Sequence, residues 1–217
     1  MKVTINAAMT IDGKIATASG DSAISSKEDW KRVHKMRAAS DAVMVGISTV
    51  LVDDPRLTVR HVRGRNPARI IVDSKGRIPS RSRILRSAHE QKTVIAVSEQ
   101  AKEADIIRIK KAGALVVVAG RDTVDLKALF LFLKKAGFKN VLVEGGGELN
   151  WSVLDLGLAD ELVVSVAPRI AGGRLATTLV EGDGYDRISQ GPKLALMRVE
   201  KTKAGELVLR YRVGKHT

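Results

Sequence analysis

Seven short apolar runs recur along this chain, and helical patterns fill most of the intervals between them. The runs are residues 3–8, 42–45, 69–72, 93–97, 114–118, 141–143 and 161–166. Runs of four to eight apolar residues bounded by turn signals suit strands buried on both faces. Strand and helix in strict alternation imply a mostly parallel central sheet with helices on both faces. The end of the chain departs from that rhythm. Residues 194–201 and 206–213 alternate polar and apolar across Ala204-Gly205, which predicts an antiparallel hairpin closing one edge of the sheet. There is no internal repeat and no linker, so one α/β domain spanning residues 1–217 is expected.

The helical intervals carry their own punctuation. Ser25-Ser26-Lys27-Glu28 offers a capping box, with Ser25 as N-cap and Glu28 reaching back, ahead of a helix running to about Ala39. Residues 101–112 read as a second helix closed by Gly113. Residues 125–136 read as a third, with Leu126, Leu129, Phe130 and Leu133 on one face and Gly137 as the stop. Leu131 and Phe132 fall off that stripe and are assigned to a two-sided core. Residues 61–66 and 74–87 are loop-like and basic.

Composition narrows the chemistry. Hydrophobic residues make up 44% of the chain but aromatics only 3%, so the core is aliphatic. With no cysteine there is no disulfide, no thiolate zinc site and no Cys nucleophile. His34, His61, His89 and His216 lack metal-ligand spacing, so no metal is expected, and the reactive group should come from an organic cofactor. No stretch approaches the roughly 20 apolar residues of a membrane span. Residues 1–5 enter a strand-like run without a signal-peptide pattern, and a cytoplasmic location is expected. The formal charge of +13 raises nucleic-acid binding. The basic residues are spread among acids, however, and seven aromatic residues are too few for a stacking platform. A small phosphorylated ligand suits the field equally.

Three strand-to-helix turns gather polar and glycine residues. The first is Glu144-Gly145-Gly146-Gly147-Glu148-Leu149 after residues 141–143. Backbone without side chains lets an anion approach, and the first N–H groups of a helix are unpaired. It is equally a tight turn that any α/β protein needs, and it is neither a Rossmann fingerprint nor a P-loop. The second follows residues 43–45: Gly46, then Thr49 and Asp53, which are four apart and share a helix face if the helix lasts that long. Thr49 could donate to a phosphate or ribose and Asp53 accept from a ribose hydroxyl; alternatively Asp53-Asp54-Pro55 ends the helix. The third is Asp73-Ser74-Lys75-Gly76-Arg77, where Lys75 and Arg77 would favour NADP over NAD, or form a solvated turn. Ligands of open α/β sheets bind at such carboxyl ends. Arg37 shares the face of Trp30 and Val33, which should be apolar; with Arg60 it could clamp a substrate phosphate, or it could serve the helix dipole. Glu144 could bond a ligand, move a proton or cap a helix.

Read in order, these stretches resemble the reductases of riboflavin biosynthesis. The residues that carry the resemblance are 9–16 (Met9-Thr10-Ile11-Asp12-Gly13-Lys14-Ile15-Ala16), Gly20-Asp21-Ser22, Arg37-Ala38, Val45-Gly46, the run from Thr49 to Arg60, Ile71-Val72-Asp73-Ser74, and Glu144-Gly145-Gly146-Gly147. They cover nearly the whole chain and are similar to the free-standing archaeal type. The resemblance implies a dihydrofolate-reductase-like fold, a homodimer, and NADPH as hydride donor, with NADH as an alternative. It implies reduction at C1′ of 2,5-diamino-6-(ribosylamino)-4(3H)-pyrimidinone 5′-phosphate to the ribitylamino compound. Carried over by position, Ala8, Thr49, Asp53, Ser74, Gly145, Gly146, Gly147, Glu148 and Leu149 would contact the cofactor. Ser22, Arg37, Leu57, Arg60 and Glu144 would hold the substrate. Glu144 and Asp53 are the candidate proton donors. Bacterial relatives carry a tryptophan just after Ser22, which this chain lacks. Three other readings stand beside this one: reduction of the deaminated substrate, a pterin or folate reductase, and a basic nucleic-acid-binding protein.

Overall fold

The computed structural model describes residues 1–214; His216 lies outside the described residues. In chain order the elements are β1 (Lys2–Thr10), α1 (Lys27–Ala38), β2 (Ala42–Gly46), α2 (Ile47–Asp53), β3 (Ala68–Val72), α3 (Arg83–Arg86), β4 (Thr93–Val97), α4 (Glu103–Lys111), β5 (Leu115–Val118), α5 (Leu126–Lys135), β6 (Asn140–Val143), α6 (Gly147–Asp155), β7 (Glu161–Ala167), a 3₁₀ turn (Ile188–Gln190), β8 (Leu194–Lys201) and β9 (Leu207–Val213). The chain forms two compact units, one of Met1 with Met36–Leu142 and one of Lys2–Lys35 with Val143–Thr217.

In the first unit the strand order is β5-β4-β3-β2-β6. Strands β2 to β5 pair in parallel, with Val45 beside Ile71 and Ile71 beside Ile95. β2, β3 and β4 are aliphatic and largely buried on both faces, as central parallel strands must be when neither face meets water, whereas Leu115 and Val118 of the outer strand β5 are about half exposed. Val43, Val45, Ile71, Ile95 and Val97 form one core with Leu57, Ile84, Leu85 and Ile109. The stripe expected on α5 is buried: Leu126, Leu129, Phe130 and Leu133 are all below 6% exposure. Each such side chain contributes about 1.5–3 kcal/mol. Leu131, however, is half exposed rather than in a two-sided core. The basic stretch 74–87 is not all loop, since its end forms α3, capped by the Ser82 hydroxyl on the Leu85 N–H.

Arg69 opens β3 and is fully buried. Its guanidinium donates to the Ile84, Ser87 and Gln91 carbonyls and to the Ser87 and Thr93 hydroxyls. Burial pulls its pKa down to about 10. The arginine thereby satisfies the carbonyls at and beyond the end of α3, which have no helical partner of their own.

In the second unit the order is β1-β7-β9-β8. β1 and β7 are parallel, whereas β7 with β9 and β9 with β8 are antiparallel. The predicted hairpin is thus present, and β8 is its outer strand. α1, which begins in this unit, is capped by Ser26 rather than Ser25. The Ser26 hydroxyl accepts the Asp29 N–H at 3.1 Å. The choice is made by Glu206, a buried carboxylate at the start of the second hairpin strand. It receives the Ser26 N–H at 2.7 Å and the Ser26 hydroxyl at 2.6 Å. Glu28 does not reach back; it accepts the Lys203 N–H at 2.9 Å. The expected face of α1 is buried at Val33 and Arg37, but Trp30 on the same face is 40% exposed, and Asp29 and His34 are buried as well. Among the described residues no helix is long and apolar enough to cross a membrane.

Candidate functional site

In the first unit, β2 delivers Gly46 as the N-cap of α2, with no side chain capping the helix. Thr49 is half-buried and Asp53 exposed, and both lie within α2, so they do share a face. The helix ends where the alternative reading places its end. Asp54 takes up a left-handed conformation at φ +39°, and its N–H returns to the Val50 carbonyl. Its carboxylate accepts the Arg83 N–H at 2.8 Å.

Three residues on, Leu57 sits at φ +52° while only 2% exposed. A leucine there costs roughly 1–2 kcal/mol, which its place in the core offsets. The bend presents Thr58 to two arginines. Arg37, 5% exposed, donates Nη1 to the Thr58 carbonyl at 3.1 Å. Arg60 donates Nη1 to the Thr58 hydroxyl at 2.9 Å. Burial lowers the pKa of Arg60, and the charges of Arg37, Arg56 and Arg83 push it the same way. Four guanidinium groups therefore act on one short segment, a field suited to a phosphate.

β3 ends on the same edge as β2, since the two run in parallel. There Asp73 is fully buried and accepts the Ile78 N–H at 2.8 Å, and burial raises its pKa. Ser74 is clamped: its hydroxyl accepts the Val124 N–H at 3.1 Å and its carbonyl accepts the Ser98 hydroxyl at 2.9 Å. Arg108 grips the Gly76 and Ile78 carbonyls, each at 2.8 Å. The turn is thus preformed, with Lys75 exposed and Arg77 leaning on Asp73 at 3.8 Å. Asp73, Ser98 and Arg108 hold this turn; Asp73 was visible in the sequence only as the residue that opens it, and Ser98 and Arg108 carried no signal.

In the second unit, β6 leads through the half-buried Glu144 into Gly145 at φ +97° and Gly146 at φ +72°. Only glycine adopts these angles without strain. α6 starts at Gly147, and Gly146, its N-cap, offers no side chain to the first N–H groups. A side chain on Gly145 would meet nothing but the Asn150 amide, at 3.9 Å. An open approach and unfilled donors suit a phosphate group. Glu148 is exposed in the first helical turn, whereas Leu149 is buried and can offer a ligand only its backbone. Ala8 is half-buried on β1 opposite Ser165, and Ser22 is exposed.

The family model described as the RibD C-terminal domain matches residues 1–208. The chain belongs to this family. It is 49% identical to the 2,5-diamino-6-ribosylamino-4(3H)-pyrimidinone 5′-phosphate reductase of Methanothermobacter thermautotrophicus, over 97% of each chain. It is a reductase of riboflavin biosynthesis and hence an oxidoreductase. Among solved structures, RibD from Acinetobacter baumannii superposes with a TM-score of 0.83 at 27% identity, covering 98% of this chain and 57% of that one. A dihydrofolate reductase from Enterococcus faecalis, solved with NADP(H), shares the fold at a TM-score of 0.55 and 12% identity, covering 98% of this chain and 96% of that one. The α/β fold expected from the sequence is therefore that of the RibD reductases and of dihydrofolate reductase.

Proposed function

We propose that this reductase uses NADPH to convert 2,5-diamino-6-(ribosylamino)-4(3H)-pyrimidinone 5′-phosphate into its ribitylamino product. The observation that carries the phosphate part of the substrate is the cluster of Arg37, Arg56, Arg60 and Arg83 about the strained Leu57. The relative from Methanothermobacter, whose name states this substrate, supports the rest.

The exposed glycine turn and the polar strand ends suit a nicotinamide dinucleotide. Thr49, Asp53, Ser74, Lys75 and Arg77 are candidate contacts to it, as are Ala8, Gly145, Gly146, Gly147, Glu148 and Leu149. When bound, the cofactor supplies the hydride that C1′ receives. Arg37, Leu57 and Arg60 would orient the phosphorylated sugar, with Ser22 and Glu144. Opening the sugar breaks the C1′–O4′ bond and leaves the oxygen on C4′, where it takes up a proton as the nitrogen gives up its own. The nitrogen must then regain a proton as C1′ is reduced, and Glu144 and Asp53 are the candidate donors. Much of the acceleration would come from positioning, which can supply about 7–11 kcal/mol. In this reading the units serve as one reductase domain of residues 1–217, cytoplasmic and without a nucleic-acid partner.

We also propose a homodimer formed through the hairpin. All eight residues of β8 are exposed. Leu194, Leu196 and Val199 pair with Val213, Tyr211 and Leu209, so one sheet face is apolar to its edge. The opposite face carries the ion pairs Arg198–Glu200 and Arg210–Glu161. An apolar face on an outer strand invites a second copy. Light scattering on Leu196→Lys should then show a monomer; an unchanged mass would remove this face from the interface.

The deciding experiment follows NADPH oxidation with the diamino substrate, its deaminated counterpart and dihydrofolate in parallel. Fastest turnover of the diamino compound is expected. Preference for the deaminated compound would change the order of steps, and turnover of dihydrofolate alone would overturn the proposal.

A further inference from the structure

Behind the glycine turn of the second unit stands a wall made of residues 176–182. The Glu181 N–H donates to the Gly147 carbonyl at 3.2 Å. A Cβ on Gly147 would land on Glu181 Cγ and lie 2.8 Å from the Thr178 carbonyl. Gly147 is therefore glycine because the wall touches it, whereas a Cβ on Gly145 would come within 4 Å of the Asn150 amide alone. Asn150 is fully buried and donates Nδ2 to the Leu179 carbonyl at 2.8 Å. Among the described residues its Oδ1 has no hydrogen-bond partner, and it lies beside Gly145, 4.0 Å from where a Cβ would stand. Glu181 stiffens the wall by taking the Thr178 N–H at 2.9 Å and lying 3.3 Å from the Thr178 hydroxyl.

The other side of the wall is fastened to residues 9–16, a motif with no role in the reading above. The Ile15 N–H donates to the Thr177 carbonyl at 2.9 Å and the Leu179 N–H to the Gly13 carbonyl at 3.2 Å. Lys14 Nζ reaches the Ala176 carbonyl at 3.4 Å. Asp12 receives the Ala171 and Gly172 N–H groups at 3.1 and 2.8 Å.

We infer that Glu181 and Asn150 are positioning residues for the cofactor, holding the glycine turn in its phosphate-receiving form, with residues 9–16 as the anchor. This rests on the glycine turn being the cofactor site. The physical reason is entropic. Consecutive glycines lose more conformational freedom on ordering than any other residues. If the turn is competent only a fraction of the time, the apparent Kd rises by the inverse of that fraction. Loosening the wall so that one turn in ten is competent weakens NADPH about tenfold, without touching the chemical step once the cofactor saturates.

The test measures NADPH Kd by fluorescence titration, beside kcat and the substrate KM at saturating NADPH. Glu181→Ala should raise Kd about tenfold and leave the other two within about twofold. Glu181→Gln, which keeps an acceptor for Thr178, should restore wild-type affinity. Asn150→Asp, isosteric but unable to donate to Leu179, should raise Kd similarly and covers the case in which Glu181→Ala fails to fold. A lowered Tm with unchanged Kd in both variants would overturn the inference. Gly146→Val separates the two ideas: if it too leaves Kd unchanged, the glycine turn is not the cofactor site. If it abolishes binding while the wall variants are silent, only the wall is refuted.

Discussion

Arg37→Ala is the sharpest probe of the substrate site. Arg37 is 5% exposed and donates one N–H to the Thr58 carbonyl, which fixes its guanidinium beside the bend at Leu57. A hydrogen bond to a charged partner is worth about 1.5–3 kcal/mol. Losing it should lower kcat/KM for the phosphorylated substrate by roughly 10- to 150-fold, at about 1.4 kcal/mol per factor of ten. Arg60 is exposed and would recover little of this. The NADPH KM should stay within about twofold, because uniform binding to one ligand has been removed and not to the other. Truncation also takes away the donor to Thr58, so the variant should lose about 1–3 kcal/mol of stability. The assay must therefore run well below its Tm. A second substrate isolates the electrostatic part: the dephosphorylated ribosylaminopyrimidine. Wild type should strongly prefer the phosphorylated form, and Arg37→Ala should erase most of that preference. Arg37→Lys keeps the charge but not the planar fork and should fall between the two. If the phosphate preference survives in Arg37→Ala, or the two KM values rise together, Arg37 does not bind the phosphate.

Three further outcomes are expected. Gly146→Val places a β-branched side chain at φ +72° and in the phosphate approach; it should abolish NADPH binding and cost roughly 1–2 kcal/mol in strain, checked by titration and thermal melting. Arg69→Met removes the guanidinium from the carbonyls of Ile84, Ser87 and Gln91, which keep weaker or neighbouring donors of their own; it should cost about 1–3 kcal/mol in denaturant unfolding, and an unchanged stability would show that those donors and water replace it. Asp12 is held at a pKa of about 2 by the Thr10 side chain and the Gly172 and Ala171 N–H groups. Its folded pKa lies below the ordinary carboxylate value of 3.8, so its contribution is full above that pH and is lost as pH falls toward about 2. The Tm difference between wild type and Asp12→Asn should shrink across that window, and a constant difference would exclude the charge as the cause.

The strands could be read from the sequence because burial on both faces leaves an uninterrupted aliphatic run, a signal that needs no knowledge of neighbours. The hairpin could be read because alternation and a glycine turn are likewise local. The cap of α1 could not. Ser25 and Ser26 are equally good N-caps in isolation, and the carboxylate that selects Ser26 belongs to Glu206, 180 residues away. The face of α1 was found only in part for a related reason. Val33 and Arg37 are buried as their spacing implies, but hydropathy gives no sign that Asp29 and His34 are buried too and that Trp30 is 40% exposed. Asp29 binds Arg32 at 2.7 Å, and Arg32 binds Asn6 at 2.8 Å. Each polar group is explained by the next, and only the first lies within reach of a periodicity argument.

The candidate site shows the same division between what a residue is and what fixes it. Thr49, Asp53, Ser74 and the three glycines stood out because strand ends followed by small or polar residues are rare unless backbone must be exposed there. Their supports did not stand out, because support is a property of pairs. Arg108 is one of 37 basic residues, and nothing in its neighbourhood distinguishes it from Lys110 or Lys111. Its two bonds to carbonyls 30 and 32 positions earlier are what preform the Ser74 turn. Arg56 and Arg83 were equally anonymous, yet both reach Arg60 electrostatically. A net charge of +13 is thus two populations. One is dispersed and keeps the surface solvated. The other converges on residues 56–60, where a backbone strained at Leu57 gives it a fixed frame, and only convergence of that kind can recognise one phosphate among many anions.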